Sequence, residues 1–99
     1  MIIWRYNNNL KITYDPIKRD RTLAERGLDL ADAEKVFRGR VATREDIRFG
    51  YGETRYITAG RLENRFVVLV WTPRGDARHI ISMRYGHAKE EEGYRHALG

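Results

Sequence analysis

Apolar positions in this chain change spacing as they go, and the changes divide it into elements. Residues 11–14 read as a strand ended by Asp15-Pro16, a capping aspartate followed by a proline suited to a first helical position. A helix is expected from Ile17 to about Arg26, closed by Gly27, with Leu23 as its clearest inward residue, supported by Ile17 and Ala24. Asp29 caps a second helix in which Leu30, Ala33, Val36 and Phe37 follow the i, i+3, i+4 spacing, and Gly39 closes it. The pattern then becomes strand-like. Residues 41–47 are weak and charged, as in an edge strand. A turn is expected at 49–52. Residues 53–60 alternate, with Thr54, Tyr56 and Thr58 on one face and Arg55, Ile57 and Ala59 on the other. A hairpin loop at 62–64 leads into residues 66–72, a nearly continuous apolar run that reads as a central strand covered on both faces. After a turn at 73–76, residues 78–84 form the last strand, and residues 88–98 form a helix. Residues 2–6 read as a short strand or an extension, and 7–9 as a turn. The pattern predicts an α+β fold: two N-terminal helices on a small antiparallel sheet, plus a C-terminal helix.

Composition narrows the partners. Ninety-nine residues, 41% of them hydrophobic, suit a single domain over 1–99 with one core. The chain has no cysteine, which excludes disulfide scaffolding and thiolate chemistry. There is no apolar run of membrane-spanning length and no signal-peptide pattern, so a cytoplasmic location without membrane association is expected. The formal net charge of +5 favours an anionic partner. Most of the basic residues are arginines, whose fixed planar fork matches phosphate oxygens. A GC-rich genome accounts for the same bias.

Chemistry concentrates between residues 51 and 84. Arg55, Arg74, Arg78 and Arg84 lie there, with Glu53 and His79. His79, His87 and His96 lack partners at metal-ligand spacing, so neither a catalytic metal nor a cofactor is expected. A set of Arg, Glu, His and aromatics can cleave RNA by 2′-hydroxyl attack on the neighbouring phosphorus. Glu53 or His79 is the candidate proton acceptor. The arginines are candidate phosphate clamps, and Trp71, Tyr51, Tyr85 or Tyr94 are candidate stacking platforms. Simpler readings stand beside these. Glu53 with Arg55 suits a solvated strand pair, Trp71 suits the core, Ser82 a structural role, and Tyr94 a helix dock. Strict alternation puts Arg78, Ile80, Ser82 and Arg84 on one face and His79, Ile81 and Met83 on the other, unless a bulge intervenes.

In order and spacing, ITYDPIK, LAERG, ADAEKVF, YGETRYITAG, VVLVWTPRGD and HIISMR, followed by Glu90 and Tyr94, resemble the BrnT toxins of bacterial type II toxin–antitoxin modules. The resemblance covers about residues 12–95 and leaves 1–11 as an extension. It implies a RelE-like fold, RNA cleavage that inhibits translation, and neutralisation by a BrnA-type antitoxin. It also implies operator DNA binding only through that antitoxin complex. Matching positions are Asp15, Lys18, Gly27, Phe37, Glu53, Arg55, Gly60, Ser82, Arg84, Glu90 and Tyr94. The chain departs from the family at Tyr14 (usually Trp), at the end of the first helix, at Arg38-Gly39-Arg40, where an acidic residue is expected, and at His79 (usually Arg).

The expected site therefore comprises Arg55, Arg84, Glu53, His79 and Tyr94 for catalysis, and Lys18, Arg26, Arg74, Arg78 and Trp71 for RNA binding. The leading expectation is a metal-independent endoribonuclease toxin. The alternative is a non-catalytic RNA- or protein-binding module on the same fold.

Overall fold

The computed structural model describes residues 10–48, 50 and 52–99. The expectations for residues 1–9, and for Phe49 and Tyr51 within the 49–52 turn, lie outside the described residues. Strand β1 (Lys11–Thr13) leads into helix α1 (Pro16–Arg26). Asp15 Oδ1 accepts the Ile17 N–H at 2.9 Å, Pro16 occupies the first turn, and Gly27 takes the left-handed φ of 70° that a residue with Cβ resists. Asp29 caps in the same way, through Ala31 N–H at 2.9 Å, but it starts a 3-10 turn (Leu30–Asp32). Helix α2 follows over Ala33–Arg38, so the second helix is shorter than its apolar spacing suggests. Strands β2 (Ala42–Glu45), β3 (Tyr56–Leu62), β4 (Arg65–Arg74) and β5 (Ala77–Tyr85) complete the sheet, and helix α3 (Ala88–Leu98) follows.

The sheet order is β1-β5-β4-β3-β2, which makes the apolar run β4 the central strand. The sheet is mixed, which corrects the expected purely antiparallel one. β1 runs parallel to β5, with Thr13 opposite His79, while the other neighbours are antiparallel. A first strand that returns through helices can lie along a distant strand in either direction, and only packing selects which. The β3–β4 hairpin turns through Glu63 and Asn64, both at positive φ (51° and 67°), as a two-residue turn of this hand requires.

Each sheet face carries its own core. On one, Leu28, Leu30, Ala33, Val36 and Phe37 pack on Val67, Leu69, Trp71, Ile80 and Met83. On the other, Ile57, Ala59, Phe66 and Val68 are covered by Leu98 of α3, with Tyr94 packed against them. Gly86 lets α3 fold back onto this second face: a Cβ there would stand 2.2 Å from Phe66 Cδ2. The expected inward face of α1 is corrected. Leu23 is 47% and Ile17 70% exposed, and Ala24 is exposed too, while Thr22 is buried. This helix docks by polar bridges instead. Arg19 forks onto Asp29 at 2.7 and 2.9 Å, and Arg26 Nη1 donates to Met83 O at 3.0 Å.

One irregularity in β5 decides which residues share a face. Val70 pairs with Ser82, but Trp71 pairs with Ile80, so Ile81 has no opposite number and the strand bulges there. Ile80 and Met83, of opposite parity, consequently enter the same core. Thr72 and Val70 alternate with Trp71 onto the α3 side, and their partners His79 and Ser82 go with them. His79 and Arg84 therefore lie on one face, and strict alternation along β5 is corrected. Among the described residues no helix is long and apolar enough to cross a membrane.

Candidate active site

The α3 side of the sheet contains a pocket of about 290 Å³. Ile57, Val68 and Val70 form its apolar floor. Arg44, Arg48, Ser82, Arg84, Glu90 and Tyr94 line it with polar groups. Arg44 comes from edge strand β2, where it pairs with Ile57 and shares that residue's face. Arg48 follows β2 and forks onto Asp46 at 2.8 and 2.9 Å. The Asp46 side chain is fully buried, and a buried carboxylate needs such partners.

Arg84 is the best-fixed cation here. Its Nη1 and Nη2 donate to the two oxygens of Glu90 at 2.9 and 2.8 Å, and Nη1 also reaches Tyr85 O at 3.4 Å. Glu90 is fixed in turn by the start of α3, accepting the His87 N–H at 3.2 Å. A guanidinium has five N–H donors. Three are used, so Nε–H and one Nη2–H have no partner among the described residues. Those two are parallel and form the edge that grips a phosphate bidentately. No buried described side-chain N or O lacks a partner. Ser82 Oγ and Tyr94 Oη, for which no described residue provides one, are therefore open to solvent at the pocket.

The pair also sets a pH response. Hydrogen bonding to Arg84 holds the Glu90 carboxyl at about 2, below its usual 4.5, and the same bond raises the Arg84 guanidinium. A carboxyl depressed in the fold stabilises it fully above about pH 4.5, and that contribution is lost as pH falls towards 2. Glu90→Gln should therefore flatten the acid limb of stability over this window. Urea midpoints measured against pH for the two proteins check it.

The other expected residues divide into groups. Arg55 bonds Glu53 at 3.2 Å just before β3, on the face of Ile57 by alternation. His79 Nδ1 lies 2.9 Å from Thr13 Oγ1, and the charges acting on it are Arg74, Glu53, Asp15 and Lys18. Burial, reinforced by Arg74, pushes the His79 imidazole below its usual range and favours the neutral ring. Glu53 and His79, the expected proton acceptors, do not line the pocket.

Trp71, Arg78 and Arg26, expected to bind RNA, do not line the pocket. Trp71 is only 8% exposed. It lies edge-on to Phe37, against Tyr56, and its Nε1 donates to Thr58 Oγ1 at 2.8 Å, so no face is open to a base. Arg78 lies over the Phe37 and Trp71 rings at 4.5 and 4.9 Å, across the sheet from the pocket. Arg26 is exposed and donates one N–H to the Met83 carbonyl.

Arg44, Arg48 and Ser82 were not among the expected site residues. Ser82 shares the face of Arg84 by simple alternation, but reads as structural in the sequence. Arg44 needed the β2–β3 register, which the long connection between those strands hides. Among the described residues no group of three His, Asp or Glu is placed to hold a metal.

Comparison with known families places these features in context. A family model described as the ribonuclease toxin, BrnT, of type II toxin–antitoxin systems matches residues 14–90, which include Arg44, Arg48, Ser82, Arg84 and Glu90. No curated protein matches the chain.

Proposed function

Because this chain belongs to the BrnT family of type II toxin–antitoxin ribonuclease toxins, we propose that the pocket is where it cleaves RNA, without a metal. The observation that carries this reading is the convergence on one pocket of polar groups without a partner among the described residues: the Nε/Nη2 edge of Arg84, Ser82 Oγ and Tyr94 Oη, with Arg44 beside them. The scissile phosphate rests on the Arg84 edge. The 2′-oxygen bonds to phosphorus, and its proton passes to water. The P–O5′ bond breaks, and the phenol of Tyr94 protonates the departing 5′-oxygen. The products are a 2′,3′-cyclic phosphate and a 5′-hydroxyl. Arg84, with Arg44 and Arg48, stabilises the charge that develops on phosphorus. Glu90 is a positioning residue: bound by two N–H groups and held at about 2, it is a poor base.

The same reading takes the fold as RelE-like and the protein as a cytoplasmic inhibitor of translation, neutralised by a BrnA-type antitoxin. Operator DNA is then bound only through the complex. Expression of the chain in a bacterial host without antitoxin tests it. Growth arrest with RNA fragments ending in cyclic phosphate is expected. Continued growth and intact RNA while the folded protein accumulates overturn it. A second reading, a non-catalytic RNA-binding module, draws on the ties of Arg84 and Arg55 to glutamates. Salt-sensitive RNA binding without cleavage is its signature.

A further inference from the structure

The β5 bulge leaves a second polar cluster on the same face as the pocket. His79 and Ser82 lie opposite Thr72 and Val70, which are two residues apart on β4. The bulge therefore shortens the distance from His79 to the pocket wall to about 7 Å along the strand. Arg84 itself lies opposite Val68, four residues or about 13 Å from Thr72, so the cluster is within reach of a neighbouring nucleotide of a strand held on Arg84. Parallel pairing of β1 with β5 sets Thr13 against His79 and brings the start of α1, with Lys18, beside the ring. Arg74, at the end of β4, is on the same face by alternation.

The charges around this cluster are unevenly matched. Asp15 is committed to capping α1, and Glu53 to Arg55. Lys18 and Arg74 form no ion pair among the described residues. Two cations without partners, an imidazole and the Thr13 hydroxyl thus face solvent next to the pocket.

We propose that Lys18, Arg74 and His79 form a second subsite, which binds a neighbouring phosphodiester of the RNA strand held on Arg84. It rests on the reading of the pocket as an RNA site and extends that site along the sheet. Lys18 and Arg74 supply permanent charge. His79 adds a third cation only when protonated, so RNA affinity rises as pH falls through its lowered range. The charged groups facing His79 are Arg74 and Lys18, which oppose its protonation, and Glu53 and Asp15, which favour it.

The experiment uses the full chain and a short 2′-O-methylated RNA oligonucleotide, which lacks the attacking hydroxyl. Fluorescence anisotropy gives its affinity against salt and pH. Lys18→Ala and Arg74→Ala should each weaken binding roughly three- to tenfold and lower the slope of log K against log salt by about 0.7. His79→Gln, which can keep a hydrogen bond to Thr13, should lose most of the tightening that the wild type shows as pH falls below neutrality. Wild-type affinity and slope in both Lys18→Ala and Arg74→Ala overturn the subsite, and so does a full pH response in His79→Gln. Arg74 is an exposed strand end, so its variant tests the subsite without disturbing the fold. The ligand cannot be cut. A chain that fails to cleave in cells leaves this subsite standing, and an active chain with unaltered binding in the variants removes only the subsite.

Discussion

Arg84→Ala should reduce RNA cleavage by about a hundredfold or more and relieve growth arrest, with the fold retained. Removing one preorganised donor from a site of developing negative charge has a cost of that order. Arg84 is a strong instance, because Glu90 and the start of α3 hold its guanidinium before any substrate arrives. Arg84→Lys should also lose at least about tenfold: an ammonium keeps the charge but cannot engage Glu90 and a phosphate through two parallel edges at once. Single-turnover cleavage of a defined RNA, with circular dichroism to confirm folding, checks both. Wild-type rates in folded Arg84→Ala would remove this pocket as the cleavage site.

The second large effect concerns stability. Trp71→Ala should destabilise the chain by about 3–5 kcal/mol and lower the melting temperature by more than about 10 °C. The indole lies between Phe37 and Tyr56, under the Arg78 guanidinium, and its N–H donates to Thr58 Oγ1, so truncation opens a cavity and removes one of the two hydrogen bonds at that hydroxyl. Trp71→Phe should lose about 1–2 kcal/mol, part of it from the hydrogen bond, while leaving RNA affinity unchanged. That combination separates a core role from base stacking: a stacking platform would lose affinity in both variants. Thermal unfolding and anisotropy on the same samples give the two readouts.

These predictions differ in how far the sequence alone supports them. Arg84 and Glu90 stand out through the likeness to the toxin family. Their bidentate contact spans the end of β5 and the start of α3, so a short chain separation makes it accessible. Trp71 ends an apolar run and reads equally as core or as platform. Its burial depends on α2 arriving from the other half of the chain. Leu23 illustrates the limit of helical periodicity. An apolar residue at the right spacing stays exposed because α1 docks through Arg19 and Arg26, whose partners are Asp29 and the Met83 carbonyl.

By itself the sequence determined what local chemistry dictates. The Asp15-Pro16 start and Gly27 end of α1, the span of α3, the faces of Tyr56 and Ile57, and β4 as the covered strand follow from capping, backbone freedom and side-chain alternation within a few residues. Only the tertiary structure decided what depends on register between distant strands: the parallel β1–β5 pairing, the entry of Arg44 into the pocket, and the bulge at Ile81. The bulge matters most. One unpaired residue reverses the parity of everything beyond it, so His79 joins Ser82 and Arg84 on a single face. Local sequence cannot specify such a shift, because it is set by the packing of Ile80 and Met83 into the same core.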